Sequence, residues 1–374
     1  MKTRFARAAT SRLALLATLL LSNAASAVPP APFVSPAQWM SALGQQVLAP
    51  RYAELARSAA TLAERIEVSC RAPDDATLES ARGVWRQTAL ELRVLSALPL
   101  GPALETRILR RLDFWPTRPA QIESSLRGKA DGTLPEARIG VTAKGLPALE
   151  YLLFDPDRVR LDADPAACAY ATWLAREIAS ELDAIQPAWS AWIDNLNEAD
   201  AATEAQLLGD GVNILIGGLD TLRQKYLEKP ARKPADKSAF DAWRSAQERA
   251  HLLAFFNGLR LGLQGADVPN NDEQNNQDLN KHALNDTARL EGKALPGLSA
   301  IMRGRGLLEL AARLDTQTAA VSAALQALPS SPAADGGAAI ARATEALAAL
   351  QGLLAREAAD RLKVAVGFGE NDGD

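Results

Sequence analysis

Apolar residues recur at helical spacing along almost the whole chain, and this rhythm constrains the fold more than any other feature. Leu48, Tyr52, Leu55, Ala59, Leu62 and Ile66 advance by alternating steps of four and three; Leu78, Ala81, Trp85, Thr88, Leu92 and Leu95 do the same beyond Pro73. Such steps place one stripe on one helix face, whereas a half-buried strand alternates every second residue. A third stripe, Leu174, Ile178, Leu182, Ile185, Trp189, Trp192 and Leu196, contains Pro187, which predicts a kink. The 48% hydrophobic content is rich in Ala and Leu, with only 5% aromatics, and these are strong helix formers. An all-α fold follows.

The length of 374 residues predicts two domains, at roughly 150 residues each. Residues 34–198 form the first helical cycle. Within it, residues 99–165 carry many prolines and glycines and read as short helices and ordered loops. The second cycle, 201–374, opens with Leu208, Val212, Leu215, Leu219, Leu222 and Tyr226 on a helix ending before Pro230. Further helices are predicted at 238–264, 298–328 and 338–366, interrupted by an Asn/Asp-rich loop over 265–297. Short connections favour antiparallel packing, so each half reads as a four-helix-bundle-like domain.

Residues 1–27 stand apart. Lys2, Arg4, Arg7 and Arg12 precede the run Leu13–Leu21, and Ala25-Ser26-Ala27 offers a small-residue cleavage site, the pattern of a secretory signal. The apolar run falls far short of the roughly 20 residues that span a bilayer. Removing this segment takes the formal net charge from −4 to −8, which argues against nucleic acid or an anionic membrane as partner. Export to an oxidising compartment favours a disulfide between Cys70 and Cys168; two buried free thiols are the alternative. With two histidines and two cysteines in all, carboxylates must carry any metal chemistry.

The most informative segment is Lys144-Gly145-Leu146-Pro147-Ala148-Leu149-Glu150-Tyr151-Leu152-Leu153-Phe154. It resembles the Gly-x-His-x-x-Glu signature of the imelysin-like family, exported helical proteins that include peptidases and periplasmic components of iron uptake. Asp113-Phe114-Trp115-Pro116-Thr117-Arg118, Trp243-Arg244-Ser245 and the terminal 366–374 are similar to segments at corresponding places in that family. The resemblance implies two helical bundles packed side by side with a ligand-binding cleft between them, lined by Gly145, Glu150, Arg118 and Arg244. It also implies a periplasmic location, periplasmic or outer-membrane iron-uptake components as partners, and iron or zinc as the metal. Pro147, however, stands where the family's metal-ligating histidine would be. Proline is tolerated in a first helical turn but offers no side-chain donor, which leaves Glu150 as a single oxygen ligand. The reading is therefore a non-catalytic binding protein, with a metallopeptidase drawing on Glu150, Glu248 and His251 as the alternative.

Glu150 interrupts an apolar run, where a lone carboxylate is costly, so it requires a partner; Arg118, Arg86 and Arg244 are the candidates. Glu248-Arg249-Ala250-His251 has the Glu-x-x-His spacing of di-iron bundles, but a single copy reads more simply as a surface pair. His282 reads as solvated. The acidic end Glu370-Asn371-Asp372-Gly373-Asp374 reads as a tail packed near the cleft. No Gly-rich phosphate loop or Gly-x-Ser-x-Gly elbow is present.

Overall fold

The computed structural model describes residues 33–233, 236–266, 294–332 and 336–367. The export segment 1–27, the Asn/Asp run 270–278, His282 and the tail from Glu370 lie outside these residues. In chain order the helices are α1 (Pro36–Leu43), α2 (Ala49–Arg71), α3 (Asp75–Ser96), α4 (Pro102–Glu105), α5 (Ile108–Leu112), α6 (Pro119–Ala130), α7 (Gly145–Phe154), α8 (Pro165–Ala184) and α9 (Gln186–Asn197). They continue as α10 (Ala201–Asp220), α11 (Lys229–Ala231), α12 (Glu248–Leu263), α13 (Leu298–Gly304), α14 (Leu308–Gln326), α15 (Gly337–Gly352) and α16 (Ala359–Leu362). The described strands are one two-residue antiparallel pair, Gly265–Ala266 with Leu295–Pro296.

The stripes read from the sequence are the core. Tyr52, Leu55, Ala59, Leu62 and Ile66 of α2 are fully buried, as are Val212, Leu219 and Leu222 in the second half. Helices α2, α3, α7 and α8 pack in one ring, and α10, α12, α14 and α15 in another; α3 lies against α12. The chain from Phe33 onward is one compact unit. Cys70 in the last turn of α2 and Cys168 in the first turn of α8 form the disulfide, with Cα atoms 6.0 Å apart.

Several boundaries differ from expectation. The helix predicted over 238–264 begins only at Glu248, because the chain turns at 240–247 with Ala242 and Ala246 in left-handed backbone (φ 57° and 56°). The stripe over 298–328 is divided between α13 and α14 by a turn through Gly306 (φ 78°). Near Pro187 the chain does more than kink: α8 stops at Ala184 and α9 restarts at Gln186. After Asp220, α10 widens into a π turn, Thr221–Glu228, and runs on through Pro230 in α11.

The junction of α3 with α12 is made at backbone distance. A Cβ built on Gly258 would sit 2.1 Å from the Val94 carbonyl oxygen and 2.7 Å from Cβ of Ala97. Backbone atoms cannot rotate away as a side chain can. Gly258→Ala is therefore expected to destabilise by about 1–3 kcal/mol despite the better helix propensity of alanine, read as a lowered urea midpoint.

Candidate functional site

Glu150 lies on α7, and the start of that helix is set by Gly145. At φ 76°, Gly145 approaches α5 so closely that a Cβ would lie 2.3 Å from the Leu112 carbonyl oxygen. Glycine is required there on both counts. The contact also fixes Asp113, the next residue after Leu112. Pro147 occupies the third position of α7, within the first turn as expected, where its missing N–H has no helical acceptor. The Trp85 indole N–H donates to the Leu146 carbonyl (3.0 Å) and ties this turn to α3.

Glu150 is 3% exposed. Its partner is not an arginine: Oε1 accepts from the Ser245 backbone N–H (3.0 Å) and hydroxyl (2.8 Å). Arg244 instead pairs with Asp155 at the end of α7 (2.5 Å) and lies over the rings of Trp243 and Tyr151. Arg86 pairs with Glu79 (2.6 Å) and covers Phe154, and exposed Arg118 covers Phe114. Thus the turn 240–247 delivers two groups to α7, the neutral Ser245 donor to Glu150 and the Arg244 cation to Asp155, in an ion pair whose side chains are 7% and 10% exposed.

The strongest charges of the site were not singled out in the sequence. Arg93 of α3 is 4% exposed and binds Asp113 through both terminal nitrogens (2.6 and 3.0 Å). It also pairs with Asp241 (2.8 Å) and donates to the Tyr226 hydroxyl (2.8 Å). The π turn after α10 presents Tyr226, and Lys225 beside it is largely buried near the same carboxylates. His251 Nδ1 lies 2.9 Å from Asp241 Oδ2, and Trp85 stacks on the imidazole with centroids 6.3 Å apart. Glu248 and His251 are both 4% exposed, which corrects the surface-pair expectation: each binds outside its own helix, Glu248 to Ser331 and His251 to Asp241. Ala242 and Ala246, in a conformation that costs about 1–2 kcal/mol each, bracket the residues that hold Glu150. Such strain persists only where the surroundings impose it.

Burial would by itself raise the Asp241 carboxyl, yet the Arg93 charge, the hydrogen bond from His251 and the Lys225 charge hold it below the ordinary carboxylate range. Asp113 goes the other way, pushed up by burial and by the neighbouring Asp241 charge. Glu150 is pushed up to about 6, chiefly by burial and then by Asp241, against the stabilising bonds from Ser245. A carboxyl whose folded value exceeds its unfolded value favours folding most when protonated, below the unfolded value of 4.5. That contribution is lost as pH rises to about 6, which corresponds to about 2 kcal/mol. Glu150→Gln, whose amide oxygen still accepts from Ser245, is expected to exceed the wild type in stability by about 1–2 kcal/mol at pH 7 and to match it near pH 4. Parallel urea titrations at the two pH values check this.

Pro147, Glu150, Arg93, Asp113, Asp241 and His251 line one cavity of about 10 Å³, the room of about one water. The iron or zinc implied by the resemblance does not fit this donor set. Pro147 supplies no ligand, Arg93 brings a fixed positive charge, and among the described residues no three His, Cys, Asp or Glu side chains converge to hold a metal. Glu150, Glu248 and His251 are likewise not brought together as one such group. The arrangement is chemically a clamp, joining α3, α5 and α7 to the turn 240–247, α12 and the π turn.

Similarity searches agree with this architecture. A sequence model described as Imelysin (Peptidase_M75) matches residues 48–359. An imelysin-like protein from Psychrobacter arcticum 273-4 is similar in fold, with TM-score 0.67, 20% identity, and 89% of this chain and 97% of that chain covered. A protein named as an iron-regulated protein A precursor, from Parabacteroides distasonis ATCC 8503, gives TM-score 0.66 at 16% identity over 85% of this chain and 93% of that one. No curated protein matches. No described helix is long and apolar enough to cross a membrane. With a family match over most of its length and the all-helical fold of its structural neighbours, the chain belongs to the imelysin family.

Proposed function

We propose that this protein is an exported, non-catalytic member of its family that binds a ligand or a partner protein in an iron-acquisition setting. The seam where α7 meets the turn 240–247 is the binding region, with Glu150 and Arg244 within it; Gly145 anchors the start of the same helix on α5, and Arg118 lies beyond, exposed. One observation carries the reading: the carboxylate of the signature segment is engaged by Ser245, and the position three residues before it, where the signature has histidine, is a proline. A donor set of that kind supports recognition and closure more readily than Lewis-acid chemistry. Export is supported by the pattern of residues 1–27. The iron setting is supported by the name of the Parabacteroides relative in fold. Periplasmic or outer-membrane iron-uptake components are the partners it would meet.

The test is affinity purification from fractionated cells grown with and without iron. The proposal expects the protein in the exported fraction, more abundant under iron limitation, and co-purifying with an uptake component. Retention in the cytoplasm, or an abundance and partner set indifferent to iron, would overturn it.

A further inference from the structure

A second cavity of about 10 Å³ shares Arg93, Asp241 and His251 with the first and is lined besides by Tyr226, Glu248 and apolar residues of α12 and the π turn. Three buried polar atoms of these residues have no hydrogen-bond partner among the described residues: Arg93 Nε, Glu248 Oε2 and His251 Nε2. Their residues are each 4% exposed, so bulk solvent does not satisfy them. Leaving three such groups unpaired in one place would be heavily penalised.

We propose that this cavity is a built site for one ordered water molecule, held by Arg93, Glu248 and His251. The identity of the ligand follows by elimination. A cation would face the Arg93 guanidinium at close range, and an anion would face Glu248 and Asp241. The volume admits nothing beyond about one water. What remains is a small neutral group that both donates and accepts, with two to four polar partners, as buried waters have.

The hydrogen bonding closes without remainder. An ionised Asp241 only accepts, so the His251 Nδ1 facing it carries a proton and donates. In the neutral imidazole Nε2 is then an acceptor. Arg93 Nε–H donates to the water oxygen, and the two water hydrogens go to Glu248 Oε2 and His251 Nε2. The water thereby completes a chain from Asp113 through Arg93 to Glu248 and the Ser331 hydroxyl, linking α5, α3, α12 and the turn after α14. It also fixes the tautomer of His251 from both sides of the ring.

A crystal structure of the full chain, at a resolution showing ordered water elsewhere in the core, tests the site. The expected result is a single peak about 2.7–3.2 Å from at least two of the three atoms. An empty cavity, direct pairing of the three groups, or a peak with the short contacts of a metal ion would overturn the proposal. Glu248→Met, which removes an acceptor and fills the space, is expected to abolish the peak; its persistence there would count against the assignment. Because the chain has only two histidines, His251 and His282, nitrogen-15 NMR of histidine-labelled His282→Gln protein reads the imidazole directly. A neutral ring protonated at Nδ1 is expected, and one protonated at Nε2 alone would contradict the hydrogen-bond scheme.

Discussion

Arg93→Met is expected to lower the folding free energy by about 3–5 kcal/mol at pH 7, the largest effect of any single substitution in this site. Methionine fills much the same volume but leaves Asp113 and Asp241 buried, facing each other without the guanidinium that pairs with both. The Tyr226 hydroxyl loses its donor in the same step. Most of the penalty is the desolvated carboxylates left behind, so two further results follow. Lowering the pH to about 4 should shrink the deficit, since the aspartates then take up protons that the unfolded chain takes up less readily. Adding Asp113→Asn and Asp241→Asn to the variant should recover a large part of the loss, because replacing a buried charge group as a unit costs far less than breaking it. Urea denaturation of the single and triple variants at both pH values reads all three. An unchanged midpoint for Arg93→Met would show that the cluster does not hold α3, α5 and the turn 240–247 together.

Removing the disulfide comes next in size. Cys70 and Cys168 are 98 positions apart in sequence, and a cross-link closing a loop of about 100 residues is worth about 4.7 kcal/mol in the chain-entropy model. Measured values for native bonds run at about 2–5 kcal/mol. The paired Cys70→Ser and Cys168→Ser substitution, or reduction of the wild type, should lower the urea midpoint accordingly while leaving the helical circular dichroism intact at low denaturant. The bond joins the end of α2 to the start of α8, helices already packed along their lengths, so the native contacts do not depend on it. Equal midpoints in the oxidised and reduced protein would refute this. Because the two helices carry much of the first ring, the reduced protein should also exchange its α2 and α8 amides faster than those of α14.

The helices themselves were legible because burial on one face imposes a period that survives any particular choice of apolar residue. Leu55, Ala59, Leu62 and Ile66 announced α2, and Val212, Leu215 and Leu219 announced α10, with all of them buried as expected. The turn 240–247 was not legible. Two alanines in left-handed backbone have no sequence signal, since glycine or asparagine would be the usual marker, and nothing in the sequence marks where the helical pattern of Leu252 to Leu263 begins.

The same turn hid the partner of Glu150. Charge alone pairs a buried carboxylate with nearby arginines, but Arg244 reaches Asp155 at the end of α7 and it is Ser245, next to it, that reaches Glu150. Arg93 left a readable trace: it stands inside Leu92-Arg93-Val94-Leu95, a charge within an apolar run, as Glu150 does. Asp241 left none. Its role depends on α3 and α12 meeting at Gly258, a tertiary contact that no local pattern encodes.

The most direct test of a signature segment built for hydrogen bonding is metal analysis of the purified protein after dialysis against ferrous iron or zinc. Metal well below one ion per chain, with the same trace in wild type and Glu150→Ala, is the expected result. One tightly held ion per chain that disappears with Glu150→Ala would contradict it.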